Sequence, residues 1–206
     1  MKININPGLT DRSMFVGSTG SGKTWLMLKL LDPLYGVKQI QILNSKSDSS
    51  INELDAPNVD SIDDLAQYTF PEFPVVVYTP SGAELADQGI LDEWCNWCYA
   101  RRNTHAMVDE VTQLGNATYP KMGLLNLATR GRDRNVSVFY GSQRPLGIPK
   151  IIYTESQNFY KFFLSSLSDR KAFAENTHPY MVSQAWDQYS FHFFRQGTRQ
   201  VYLIKQ

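Results

Sequence analysis

The chain has 206 residues, 42% of them apolar and 19% charged, and twenty basic residues balance twenty acidic ones. That composition supports one globular core and excludes a disordered or low-complexity chain. Formal neutrality excludes a surface coated in positive charge, while Arg130, Arg132, Arg134 and Arg144 still form a local basic stretch.

The N-terminus, Met1-Lys2-Ile3-Asn4-Ile5-Asn6-Pro7, lacks the apolar centre of a signal peptide, and no apolar run is long enough to span a bilayer. A soluble intracellular chain without membrane insertion is expected, folded as one domain over 1–206. Residues 13–16 read as a buried strand and 25–31 as an apolar helix. Between them lies Gly17-Ser18-Thr19-Gly20-Ser21-Gly22-Lys23-Thr24, a complete G-x-x-x-x-G-K-[ST] phosphate-binding loop. The spacing predicts ATP or another nucleoside triphosphate as ligand. Glycines let backbone N–H groups turn toward phosphate oxygens, Lys23 reaches the β/γ-phosphates, and the Thr24 hydroxyl can ligate Mg²⁺. Trp25 follows directly, at the head of the helix whose N-terminal dipole faces the phosphates.

Further strands are predicted over 39–43, 74–78, 105–108 and 136–140, with helices over 61–67, 82–99 and 120–129. Pro120 suits the first turn of the last of these. Short strands alternating with helices give an α/β class, a mostly parallel sheet flanked by helices. Cys95 and Cys98 form a C-x-x-C, but Leu91, Trp94, Cys95 and Cys98 follow helical spacing, so buried packing is expected rather than redox chemistry. His105, His178 and His192 are not spaced as metal ligands.

After Pro149 the pattern changes. Residues 159–164 are apolar and aromatic, 169–175 are helical, and 191–194 with 200–204 flank a Gly197 turn as a β-hairpin, predicting added antiparallel C-terminal strands. Tyr180, Trp186, Tyr189, Phe191, Phe193 and Phe194 are expected to pack the core rather than form a docking surface.

Hydrolysis needs more than a phosphate loop. Met107-Val108-Asp109-Glu110 supplies two carboxylates at a strand end, Asp109 to help hold Mg²⁺ and Glu110 to polarise the attacking water. The guanine-reading N-K-x-D does not fit Asn44-Ser45-Lys46-Ser47-Asp48, which is one residue too long.

A helix ending in Thr129-Arg130-Gly131-Arg132, followed by a strand ending in Ser142-Gln143-Arg144-Pro145, resembles the FtsK/HerA superfamily of DNA-pumping ATPases. It is most similar to the genome-packaging ATPases of tailless icosahedral membrane-containing viruses. The resemblance spans roughly residues 12 to 175 and implies a RecA-like P-loop NTPase fold. It implies that Gln143 is the polar sensor of the γ-phosphate. Ser165-Ser166-Leu167-Ser168-Asp169-Arg170 resembles the S-S-x-x-D-x-R stretch of these motors, with altered spacing. Their trans-acting arginine, near the start of the preceding strand, corresponds here to Lys161, which cannot form a bidentate guanidinium fork. Lys161, Arg170, Arg130, Arg132, Arg134 or Arg144 then takes that task or contacts DNA. The resemblance further implies Mg²⁺-dependent ATP hydrolysis, a homo-oligomeric ring of six, double-stranded DNA as substrate, and a viral capsid or packaging vertex as partner, in host cytoplasm or virion. Other DNA-pumping ATPases of the superfamily, a nucleotide kinase, for whose Arg-rich lid the 130–134 cluster could be mistaken but against which Asp109-Glu110 paired with Gln143 stands, and a non-catalytic nucleotide-binding scaffold are the alternatives.

Overall fold

The protein, in a computed structural model that describes residues 3–115 and 121–205, gathers its apolar runs into a nine-stranded sheet. In chain order the elements are β1 (Arg12–Val16), α1 (Lys23–Lys29), β2 (Gln39–Leu43), α2 (Ser49–Asn52), β3 (Asn58–Val59), β4 (Val75–Tyr78), α3 (Gly82–Ala86) and α4 (Gln88–Arg101). There follow β5 (Thr104–Val108), α5 (Met122–Arg130), β6 (Ser137–Ser142), α6 (Lys150–Glu155), β7 (Asn158–Lys161), α7 (Leu167–Asn176), β8 (Phe191–Arg195) and β9 (Val201–Ile204). The sheet order is β3-β4-β2-β5-β6-β1-β7-β8-β9. Strands β1 to β7 pair in parallel, and β8 and β9 add antiparallel to β7, as the C-terminal hairpin predicts.

Burial on both faces explains why the inner strands read as continuous apolar runs rather than alternating ones. Met14 and Val16 of β1 join the core beneath α4, α5, α6 and α7, while Phe15 joins the opposite core beneath α1. Phe15 stacks on Tyr160 of β7 at 4.3 Å between ring centroids. Because β1 is central and its neighbours run parallel to it, the carboxyl ends of β5, β6, β1 and β7 share one rim of the sheet.

Several expectations shift. The single helix expected over 82–99 is two helices. A Ser81–Glu84 capping box opens α3, and the Asp87 side chain accepts from the Gly89 N–H (2.7 Å) to open α4. Residues Ile62–Gln67 form a 3₁₀ helix rather than an α-helix. The strand expected to end at 140 continues to Ser142. Helix α5 begins at Met122, and Pro120 lies outside the described residues.

Leu91, Trp94, Cys95 and Cys98 are all fully buried, and burial pushes both thiols well above their usual range. The C-x-x-C is therefore packing. Gly123 lets α5 press on α4, since a Cβ there would lie 2.1 Å from the Asp92 carbonyl oxygen. The aromatic C-terminal part divides: Phe191, Phe193 and Phe194 are core, whereas Tyr180, Trp186 and Tyr189 are exposed, correcting the expectation for those three.

Candidate nucleotide site

The phosphate loop leaves β1 and is fastened to both neighbouring strand ends. Gly17 N–H donates to Ser142 O (3.1 Å), and Ser18 N–H donates to Phe163 O (2.9 Å). Gly22, with φ 93°, caps α1 without any side chain, a conformation that favours glycine. Among the described residues, the N–H groups of Thr19, Gly20 and Gly22 have no protein acceptor. This is the arrangement an anion requires. Ser18, Thr19, Gly20, Ser21, Gly22, Lys23, Thr24 and Trp25 border a cavity of roughly 250 Å³ that Gln143 also lines. Lys23 is 8% exposed; burial lowers its pKa, and the negative charges of Glu110 and Asp109 oppose that shift.

The two carboxylates after β5 do different work. Asp109 accepts from the Ser45 N–H (3.1 Å), the Ser45 hydroxyl (2.6 Å) and the Lys46 N–H (2.9 Å), so it braces the loop after β2. The register Leu43↔Val108 brings those two strand ends together. Burial raises the Asp109 pKa against these hydrogen bonds. Glu110 is 3% exposed and pairs with Lys46 Nζ at 2.7 Å. Burial alone would raise its pKa, but hydrogen bonds from Lys46, Ser142 and the Gln143 N–H outweigh it and hold the carboxyl below the usual range.

Sequence reasoning missed three contributors. Asp48 lines the cavity and accepts from the Thr24 hydroxyl at 3.3 Å. It is a hard oxygen donor beside the residue expected to hold Mg²⁺. Lys46 holds Glu110, and Tyr189 lies over the phosphate loop, where a Cβ on Gly22 would meet its ring at 2.9 Å. Asp48 and Lys46 belong to the stretch that failed as a guanine-reading motif, and only the β2–β5 pairing draws it to the site.

The expected cations separate. Lys161 is the last residue of its strand rather than near the first, and it is wholly buried, which corrects its reading as a group reaching a neighbouring subunit. Arg170 is half-buried and donates to Val182 O (3.5 Å) within the same chain. Arg144 is exposed on the nucleotide rim, 3.8 Å from Asp169. Arg130, Arg132 and Arg134 precede β6 and so lie at the opposite rim, with Arg134 over the Tyr99 ring at 4.3 Å. They do not lie over this chain's own phosphates, so the cluster is not the Arg-rich lid for which it could be mistaken.

No protein-family model and no curated protein sequence matches the chain. Solved structures do resemble it. The genome packaging NTPase B204 from Sulfolobus turreted icosahedral virus 2, in complex with ATP-gammaS, has a TM-score of 0.75 at 14% identity, covering 97% of this chain and 98% of that one. B204, the DNA-packaging ATPase from Sulfolobus turreted icosahedral virus, gives 0.75 at 14% identity over 95% and 97%. The pCW3 conjugation coupling protein TcpA, monomer form with ATPgS, gives 0.55 at 13% identity over 94% of this chain and 59% of that one. The chain has the P-loop NTPase fold, as its phosphate loop and strand pattern predict.

Proposed function

We propose that the chain is a Mg²⁺-dependent ATPase of the FtsK/HerA type, and that it pumps double-stranded DNA into a preformed viral capsid as a homo-oligomeric ring. The observation that carries this reading is the convergence of Lys23, Thr24, Glu110 and Gln143 around one rim of the sheet. Full-length likeness to a genome packaging NTPase supports the DNA-directed part.

In this reading the free N–H groups of the loop and Lys23 bind and orient the triphosphate. Thr24 would hold Mg²⁺, with Asp48 and Asp109 around it, and the ion would supply positive charge to the triphosphate. Glu110 takes the proton of the attacking water, and the Gln143 amide contacts the γ-phosphate without adding charge. A cation from a neighbouring copy completes the site. Such a group is worth about 10³ to 10⁵ in rate, so an isolated subunit hydrolyses ATP poorly. Arg130, Arg132 and Arg134 contact DNA phosphates rather than base edges, as suits a motor indifferent to sequence.

Phosphate release measured with and without duplex DNA tests the proposal. Stimulation by DNA of any sequence, lost at moderate salt and abolished by Glu110→Gln, is the expected result. Stimulation by a small phosphate acceptor instead, or by nothing, would overturn it.

A further inference from the structure

Beside Arg130, Arg132 and Arg134, the amino rim carries two more arginines, Arg101 at the end of α4 and Arg102 in the turn into β5. The stretches 99–104 and 129–135 together hold these five guanidinium groups and a single carboxylate, Asp133. Among the described residues none of the five makes an ion pair. In a chain that is neutral overall, this rim is a local excess of positive charge.

Arg102 is the informative member. Its backbone, at φ 56° and ψ 166°, lies at the edge of a region that essentially only glycine occupies. Its side chain is exposed and, among the described residues, its guanidinium has no hydrogen bond, ion pair or aromatic partner. Folding gains nothing from this side chain that glycine would not supply with less strain. The turn is nevertheless held firmly. Thr104 Oγ1 donates to Arg102 O (2.8 Å), and the Asn103 side-chain amide donates to Val37 O (3.1 Å). Asn103 N–H donates to Arg134 O (3.0 Å), and the Asn135 amide donates to Asn103 Oδ1 (2.6 Å). The last two bonds join the turn before β5 to the turn before β6, so the arginines of both keep fixed relative positions. Two of them are also held flat, Arg101 over the Trp97 ring at 4.1 Å and Arg134 over the Tyr99 ring at 4.3 Å.

Arg101 and Arg102 border a recess of roughly 260 Å³ with Gln39, Thr69, Phe70 and Asn103. Both amides there are engaged within the chain. Gln39 donates to Tyr68 O (3.0 Å) and Phe73 O (3.2 Å) and accepts from Arg101 (3.1 Å), and Asn103 is bound as above. The recess therefore offers a ligand guanidinium forks, the Thr69 hydroxyl and the Phe70 ring, but no free amide edge with which to read a base. A guanidinium fork matches the paired oxygens of a phosphodiester.

We propose that Arg102, with Arg101 and Arg134 stacked beside it, forms a phosphodiester-binding site on the amino rim that holds DNA by its backbone and reads no sequence. This rests on the DNA-directed part of the reading above, and it extends the contact surface from the turn before β6 to the turn before β5.

The test measures binding of a short labelled duplex by fluorescence anisotropy across a salt series, with and without Mg·ATPγS, and thermal unfolding of each protein. Wild type is compared with Arg102→Gly, Arg102→Lys and Lys171→Gln. Arg102→Gly should weaken binding about tenfold at low salt and lower the slope of log affinity against log salt by about one. Its Tm should not fall, because glycine adopts this backbone freely, and that separates a lost contact from a lost fold. Arg102→Lys, which keeps the charge, should keep the slope. Lys171→Gln, which removes a charge from the exposed side of α7, should behave as wild type. Duplexes of unrelated sequence should bind alike. If Arg102→Gly does lower Tm, Arg102→Gln, which loses only the charge, decides by the same slope. Wild-type affinity and slope in the charge-free variants overturn this site and leave the DNA reading to Arg130, Arg132 and Arg134. An equal loss in Lys171→Gln also overturns it, by making the effect one of net charge. Polyglutamate that competes as well as duplex at equal charge assigns the rim to an acidic polypeptide instead. Wild type that binds no duplex in either condition removes this site and the DNA-directed reading together.

Discussion

Replacing Lys161 with methionine should stabilise the fold at neutral pH. The side chain is wholly buried and, among the described residues, Nζ has no hydrogen-bond partner. Burial, and secondarily the charge of Arg170, pushes its pKa from 10.5 down to about 8. Its cross-strand neighbour His192 is itself pushed down to about 4, by burial first and by Lys161 second, so it is neutral at pH 7 and supplies no counter-charge. A folded pKa below the unfolded one means that stability is lost as pH falls from 10.5 to 8, and the loss is complete below 8. At about 1.4 kcal/mol for each tenfold in proton affinity, the cost at pH 7 reaches about 3 kcal/mol. Methionine fills similar space without charge, so Tm should rise by about 5–10 °C at pH 7 for a chain of this size. Urea and thermal unfolding of both proteins at pH 7 and pH 10 measure this. Other groups titrate equally in both, and the difference isolates residue 161. A methionine variant that is less stable at pH 7, or an advantage that does not shrink at pH 10, would refute the reasoning.

Gly141→Ala should destabilise by about 1–3 kcal/mol or more, because its Cβ would lie 2.4 Å from Asp109 O and 3.0 Å from Val108 O, both backbone atoms that cannot swing aside. An unchanged urea midpoint would contradict this. Cys95 and Cys98 should resist maleimide in the native protein and label only on unfolding, since both are buried and burial holds both thiols protonated. Rapid native labelling would show that α4 opens far more readily than its packing implies.

How much of this was legible in the sequence depended on how local each signal is. The phosphate loop, the Asp109-Glu110 pair and the C-terminal hairpin are contiguous motifs, and their residues lie where chain-local reasoning puts them. The Ser81-x-x-Glu84 box and Asp87 were also available, and they mark the break between α3 and α4. Asp48 and Lys46 were not legible. Their roles exist only because β2 pairs with β5, a contact between residues far apart in the chain. Lys161 failed for a related reason: its residue type suggested a surface charge, whereas the register Val16↔Lys161 sets it at the inner end of a covered strand. In the aromatic tail, strand periodicity did not divide core from surface, because both faces of β8 are covered while the loop before it, with Trp186 and Tyr189, is open.

The parallel sheet has one further consequence. Nucleotide chemistry occupies its carboxyl rim and three guanidinium groups its amino rim, so a single copy already distinguishes forward from backward. Cyclic symmetry leaves every copy the same way up and preserves that sense along the axis, whereas a two-fold pairing perpendicular to it cancels the sense. In the ring proposed above, rotation about a single axis would keep that sense, set by strand polarity.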